Sequence, residues 1–374
     1  MSRECTRCIY NSDVYPSLTF DANGMCSSCR EYDEAIAYRI VSGPEGKLIL
    51  EQTLDKVRER GRRQEFDCLI GVSGGTDSTY VAYLTREWGL RPLAIHVDNG
   101  WNSELAVQNI HNCLEQLGIE LDTVVLDWDE FRDLQLAFLK ASTPDGDIPT
   151  DHAIQAVLWQ AAIANGIKTI ISGSNFRTES TAHQLDRSYG HSDWRYIKAV
   201  QRRFGTRPLR SYPHYSLGRI PYYNLARRVR ILSLLNYIDF DKETAQGIIK
   251  AELGWRDYGA KHHESIYTRF FHGYVMPNKF GYDKRYEHLC DLVRSGQLTR
   301  HEAVAEIGRE PYPREQQEQD VEYVCKKLRL ERSEFDQIML QEPKSFRDYP
   351  NNYNNYLRLK RAANALRRWG KYPL

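Results

Sequence analysis

No run of apolar residues in this chain of 374 approaches the about eighteen that a membrane-spanning helix needs. The opening MSRECTRCIYNSD also lacks the apolar h-region of a secretion signal. These two absences lead us to expect a cytoplasmic protein. An excess of one charge is missing too: 51 Lys and Arg stand against 50 Asp and Glu, and a net charge of +1 gives no general attraction to nucleic acid or acidic lipid. Any such interaction must be local. There is no internal repeat and no low-complexity tract, and the length suffices for one large domain or two ordinary ones with a substantial core.

In a reducing compartment, closely paired cysteines point to metal or catalysis rather than disulfides. Four of the eight are so paired: Cys5, Cys8, Cys26 and Cys29 form a C-x2-C-x17-C-x2-C pattern. That spacing lets four thiolates face one tetrahedral ion, so a structural zinc ribbon is expected over 1–32. Cys68, Cys113, Cys290 and Cys325 stand alone among apolar neighbours, as packed residues do.

Residues 31–64 have helix-like spacing, and Phe66 to Val72 reads as a buried strand. Helices are then expected at Ser78–Trp88, Ser103–Leu117, Asp129–Lys140 and Asp151–Asn165, and strands at Pro92–Val97, Glu120–Leu126 and Lys168–Ser172. Strands alternating with helices predict a parallel sheet covered on both faces, with ligands at the carboxyl ends of its strands. Beyond about 205 the alternation stops and the chain turns aromatic, basic and helical. Thr299 and Glu302 predict a capping box, and 354–369 a closing amphipathic helix. The expected division is a ribbon (1–32), an α/β core (33–204) and a mainly helical region (205–374) contributing to substrate and partner binding.

Between the first strand and its helix lies Ser73-Gly74-Gly75-Thr76-Asp77-Ser78. Its backbone N–H groups and the helix dipole favour an anion, and its glycines let the backbone come close. Neither a Walker lysine nor a G-x-G-x-x-G is present. An acid within an anion pocket needs a cation between them, so Asp77 reads as a magnesium ligand facing polyphosphate.

S-G-G-x-D-S in this position resembles the pyrophosphate (PP) loop of the ATP pyrophosphatase superfamily, whose members split ATP into AMP and pyrophosphate while activating a carbonyl-type oxygen. The resemblance implies a parallel-sheet, adenine nucleotide alpha hydrolase-like core. It also implies that Ser73, Gly74, Gly75, Thr76, Asp77 and Ser78 form the phosphate and magnesium site, and that Val97, Asp98 and Gly173 lie beside the nucleoside of ATP. Four further stretches narrow it: HVDNGWNSELA (96–106), GDIPTDHAI (146–154), SGSNFRTES (172–180) and GAKHHESIYTRFF (259–271). With the ribbon, they resemble the N-acetyl sugar amidotransferase family. Its members convert the acetamido group of a bacterial surface-sugar precursor to acetamidino through an O-adenylyl imidate that ammonia attacks. The resemblance implies products bound for O-antigen or related glycans. A glutaminase nucleophile would need Cys at position 2, where Ser2 stands, or a cysteine elbow, so separate glutaminase and cyclase-like subunits are expected to supply ammonia.

Expected substrate contacts are Asn99, Trp101, Asp147, His152, Asn175, Thr178 and Glu179. Asp151 joins Lys261, His262 and Glu264 of the KHHES cluster as expected catalytic groups beside Asp77; helix capping and a solvated helix start are the plainer readings of these two clusters. Residues 197–230 hold nine Lys or Arg and no Asp or Glu, with Tyr212, Tyr215, Tyr222 and Tyr223 interleaved. Such a stretch suits RNA, a nucleotide sugar or a partner protein. The RNA reading matters because tRNA thiolases of the same superfamily also pair a cysteine ribbon with S-G-G-x-D-S. They usually carry lysine where this chain has Thr76, and a mid-chain cysteine pair.

Overall fold

The structure, a computed structural model, describes residues 2–180 and 189–358. Two cysteine knuckles open the chain, tied by antiparallel bridges Glu4–Asn11 and Phe20–Cys26. Helices α1 (Ser27–Arg39) and α2 (Gly43–Gly61) follow. Then come β1 (Cys68–Gly71), α3 (Thr76–Glu87), β2 (Pro92–Asp98), α4 (Glu104–Leu117), β3 (Glu120–Val125), α5 (Trp128–Ala141), α6 (Ile148–Ala164) and β4 (Thr169–Ile171). Local chemistry fixes the helix starts: Ser103 accepts the Ala106 N–H to cap α4, and Asp127 accepts that of Glu130 to cap α5.

All strand pairings are parallel, in the order β3-β2-β1-β4-β5. The fifth strand, β5 (Arg230–Leu232), follows α7 (Trp194–Phe204) and lies in the stretch where the sequence suggested no further alternation. It is a three-residue edge strand, half exposed, with no periodic signal of its own.

Strand residues alternate between two cores, as a two-faced sheet requires. Cys68 and Ile70 of β1 join Ala94 and Ile171 under α2, α3 and α4. Leu69 joins Leu93, Ile95 and Ile170 under α5 and α6, in a core continuous with the ribbon and the C-terminal helices. The chain builds outward from β1 through β2 to β3, then returns to place β4 and β5 on the other side. This reversal opens a crevice at the carboxyl ends of β1 and β4.

The capping box at Thr299 and Glu302 is present. The closing helix expected over 354–369 lies outside the described residues from 359 onward.

Candidate active site

The loop after β1 is held in one shape. Gly74 has φ +79°, and a Cβ there would come within 2.5 Å of the Ala106 carbonyl oxygen, so glycine is required. The Trp255 indole N–H donates to the Gly74 carbonyl at 2.9 Å, and the Gln246 amide to Thr76 Oγ1 at 3.1 Å. Gly75 N–H donates to Ser73 Oγ at 3.3 Å, and Ser78 Oγ–H to the Gly75 carbonyl at 3.2 Å. No side chain caps α3 at Gly75, which leaves the helix N-terminus free for an anion.

The KHHES turn is fastened to this edge of the sheet from the far end of the chain. Ser103 N–H donates to the Glu264 carbonyl at 2.8 Å, and Ile266 N–H to that of Trp101 at 2.9 Å. A Cβ on Gly75 would lie 3.3 Å from both Glu264 Oε1 and the Tyr258 hydroxyl. Lys261 Nζ pairs with Glu179 at 2.8 Å. Burial opposes ionisation of both partners, yet their attraction wins, raising the Lys261 pKa and lowering that of Glu179.

Asp77 stands differently. Burial first, then the charge of Glu179, push its carboxyl up to about 6 against the pull of Lys261 and Lys242. Its Oδ1 and the Oε2 of Glu264 are both buried without a hydrogen-bond partner. Two such unpartnered carboxylate oxygens beside an uncapped helix N-terminus fit a hard divalent cation.

A cavity of about 830 Å³ opens over the switch point. One side carries Ser73, Val97, Gly173, Glu179, Lys261, His262 and Glu264. Asn99, Thr178, Asp147 and Asp151 also line it. Gly74, Gly75, Thr76, Asp77 and Ser78 sit behind the Ser73 rim, and the Asp98 carboxylate is turned to the Gly100 N–H at 2.8 Å.

Three expected substrate contacts lie elsewhere. Trp101 is buried, packed on Trp128 and Tyr267 with the Lys327 ammonium 4.9 Å from its ring centre, because the chain must turn inward after β2 to cover the sheet edge. Trp101→Ala should cost about 3–5 kcal/mol in denaturant unfolding, whereas a substrate-facing tryptophan would act first on KM. His152 is fully buried and uses both ring nitrogens: Nδ1 meets the His191 carbonyl at 2.7 Å and Nε2 accepts the Tyr215 N–H at 3.2 Å. Burial lowers its pKa to about 4. Asn175 is buried and spends its side chain on Thr178.

The same cavity is also lined by Asp145, His191, Lys242 and His272, which sequence reasoning missed, beside the expected Asp147 and Asp151. Asp147 starts α6 without capping it; instead Oδ1 accepts the Thr268 hydroxyl at 2.9 Å and Oδ2 meets His272 Nε2 at 2.9 Å. His191 lies between Asp145 (3.0 Å) and Asp151 (2.9 Å). Burial alone would discharge this imidazole, but the two carboxylates hold its pKa well above the ordinary value. Lys242, the first residue of the helix Lys242–Leu253, is a further missed group, its pKa lowered by burial and then by Lys261. Only the bare residue types in GHSDW and RFFH hinted at His191 and His272.

The four ribbon sulfurs lie within 4.8 Å of one another, with Cys5–Cys29 at 3.9 Å and Cys8–Cys26 at 3.8 Å. A tetrahedral metal–thiolate site with 2.3 Å bonds has edges of about 3.8 Å, so the set fits. Of the basic stretch, Tyr212, Tyr215 and Tyr223 are buried and Tyr222 is exposed. No helix among the described residues is long and apolar enough to cross a membrane.

Residues 264–363 match the family described as LPS biosynthesis protein WbpG-like, C-terminal domain. An uncharacterized protein of Methanocaldococcus jannaschii, MJ1599, is 22% identical over 327 residues, 83% of this chain and 95% of the relative. Among solved structures, NMN synthetase from Francisella tularensis is 16% identical, covering 70% of this chain and 91% of that one with a TM-score of 0.38. NH3-dependent NAD synthetase from Campylobacter jejuni is 17% identical, covering 42% and 72% with a TM-score of 0.28. The C-terminal part of the chain is similar to the WbpG-like domain of lipopolysaccharide biosynthesis, a match that supports the resemblance of the motifs to the sugar amidotransferase family.

Proposed function

We propose that the protein is an ATP-dependent amidotransferase that turns the acetamido group of a surface-sugar precursor into acetamidino, releasing AMP and pyrophosphate. The carrying observation is one cavity that joins an uncapped, glycine-built anion loop to a wall of carboxylates paired with imidazoles. A nucleotide-linked diacetamido uronic acid or a nonulosonic acid is the substrate class. The lipopolysaccharide domain supports a sugar substrate.

In this reading the loop N–H groups, Ser73 and Ser78 hold the β and γ phosphates, with Lys261 and Lys242 neutralising charge around them. Asp77 and Glu264 would hold magnesium, which would supply further positive charge against the polyphosphate. Oxygen leaves with AMP, nitrogen arrives as ammonia, and one proton must leave the adduct. His262, 3.8 Å from Glu264, is placed to move a proton on the nucleotide side. The amidinium product is cationic, and Asp147 and Asp151 oppose that charge across the cavity. Zinc in the four-cysteine site is structural, since four thiolates leave no open position.

The thiolase reading is weaker here. Cys68 and Cys113 are buried and line no part of the cavity, and three of the four tyrosines that suggested base stacking are core residues. Purified protein given ATP, magnesium, ammonium salt and diacetamido sugars should yield a product lighter by the difference between oxygen and NH, with one AMP formed per product. ATP turnover with no mass change in any such sugar, but with one in tRNA, would reverse the choice.

A further inference from the structure

One buried side chain joins the four-cysteine cluster to the cavity. Arg294 ends the helix Arg285–Arg294 with its side chain 1% exposed. Its Nε–H donates to Cys29 Sγ at 3.4 Å, and Nη2 to Cys8 Sγ at 3.8 Å and Ser28 Oγ at 2.8 Å. Nη1 donates to Asp291 Oδ1 at 3.0 Å, and that same carboxylate oxygen accepts the Ser180 hydroxyl. Ser180 follows Glu179, the partner of Lys261 on the cavity wall.

A divalent ion held by four thiolates is a dianion, and a buried dianion needs a nearby cation and N–H donors. Asp291 is buried and needs the same cation. A planar guanidinium has donors enough to serve both at once, in directions that one ammonium cannot reproduce. Arg294 is therefore located by the metal site on one side and by the carboxylate that anchors the 174–180 segment on the other.

We infer that Arg294 couples occupancy of the cysteine site to the geometry of the Glu179–Lys261 pair through Asp291 and Ser180, making the ribbon a positioning element of the active site. The nucleotide part of this rests on the function proposed above. Arg294 touches no reacting atom; it is a positioning residue.

Coupling must be reciprocal. In the zinc-loaded full chain, a saturating non-hydrolysable ATP analogue with magnesium should slow zinc release to a chelator at least about fivefold. Ser180→Ala leaves every ribbon contact in place, so it should keep one zinc and a wild-type Tm yet lose that slowing. Arg294→Lys keeps the charge but not the fork, and should release zinc faster with no nucleotide effect. Equal slowing in Ser180→Ala and wild type, or a wild type that binds the analogue but releases zinc at an unchanged rate, overturns the inference. A wild type that binds no nucleotide counts against the proposed function instead. Hydrogen exchange then decides the coupling: both loaded variants should exchange several-fold faster than wild type at 174–180, with β1 and β2 unchanged. Wild-type exchange there would overturn it.

Discussion

Asp77→Asn is expected to lower pyrophosphate release by about a hundred- to a thousandfold, the scale set by losing one preorganised electrostatic group, while making the free protein more stable. Both effects come from one placement. The carboxylate follows the glycine loop with Oδ1 buried and unpaired, so under the proposed function its negative charge is useful only when a cation and polyphosphate are bound. A neutral amide holds magnesium poorly against phosphate charge. In the unliganded fold the Asp77 pKa is raised to about 6. Its folded form therefore takes up a proton more readily than its unfolded form, and that stabilising contribution is lost as pH rises through about 6. Above this pH the ionised carboxylate is a standing cost, which asparagine removes. Thermal unfolding without magnesium or nucleotide should show the variant ahead by about 1–2 kcal/mol at pH 7–8, with the gap closing towards pH 4. Near wild-type turnover would take Asp77 out of the mechanism; equal stability at all pH values would deny that its charge is strained in the fold.

The alternating core was legible because each of β1, β2 and β3 is bounded by turn residues and followed directly by a helix with its own apolar period. β5 was not, since Arg230-Ile231-Leu232 is too short to show a period and is held by pairing with β4 alone. The phosphate loop was legible for a similar reason: its glycines, hydroxyls and acid are contiguous, and local backbone geometry does the assembling. The carboxylate–imidazole cluster is a tertiary product. Asp145 and His191 lie 46 residues apart, and no local pattern announces that they meet. The same limit explains Trp101 and His152. Each is next in sequence to cavity residues, but a residue three places past a strand end or one turn into a helix points to the other side, and packing claims both.

A hundredfold or larger contrast between nitrogen donors is the other large effect expected. With ammonium salt the isolated chain should form the amidine, faster as rising pH frees more ammonia; with glutamine alone its rate should be about a hundredth of that or less. The reason lies in the cysteines. All eight are buried, four in the ribbon cluster, and Cys68, Cys113, Cys290 and Cys325 in apolar packing, with burial raising the thiol of Cys113 to about 11. A glutaminase thiol must be exposed as well as easily ionised, and none of these is exposed. Under the proposed function, ammonia then comes from a glutaminase paired with a cyclase-like subunit, and adding that pair should make glutamine effective at neutral pH by delivering ammonia beside the activated amide. The helix α7 is the face to test. It begins three residues after His191 of the cavity wall and exposes Arg195, Arg202 and Arg203 around a shallow groove closed by Tyr349. Arg203 already stacks on Phe204 and Tyr349, so Arg202 is the cleaner choice. Arg202→Glu should cut the glutamine-driven rate in the presence of the partners at least about tenfold, the scale of one docking hot spot, and leave the ammonium-driven rate unchanged. Equal losses in both assays would make Arg202 a substrate or nucleotide group, and glutamine-driven turnover by the chain alone would require an ammonia-releasing nucleophile other than cysteine.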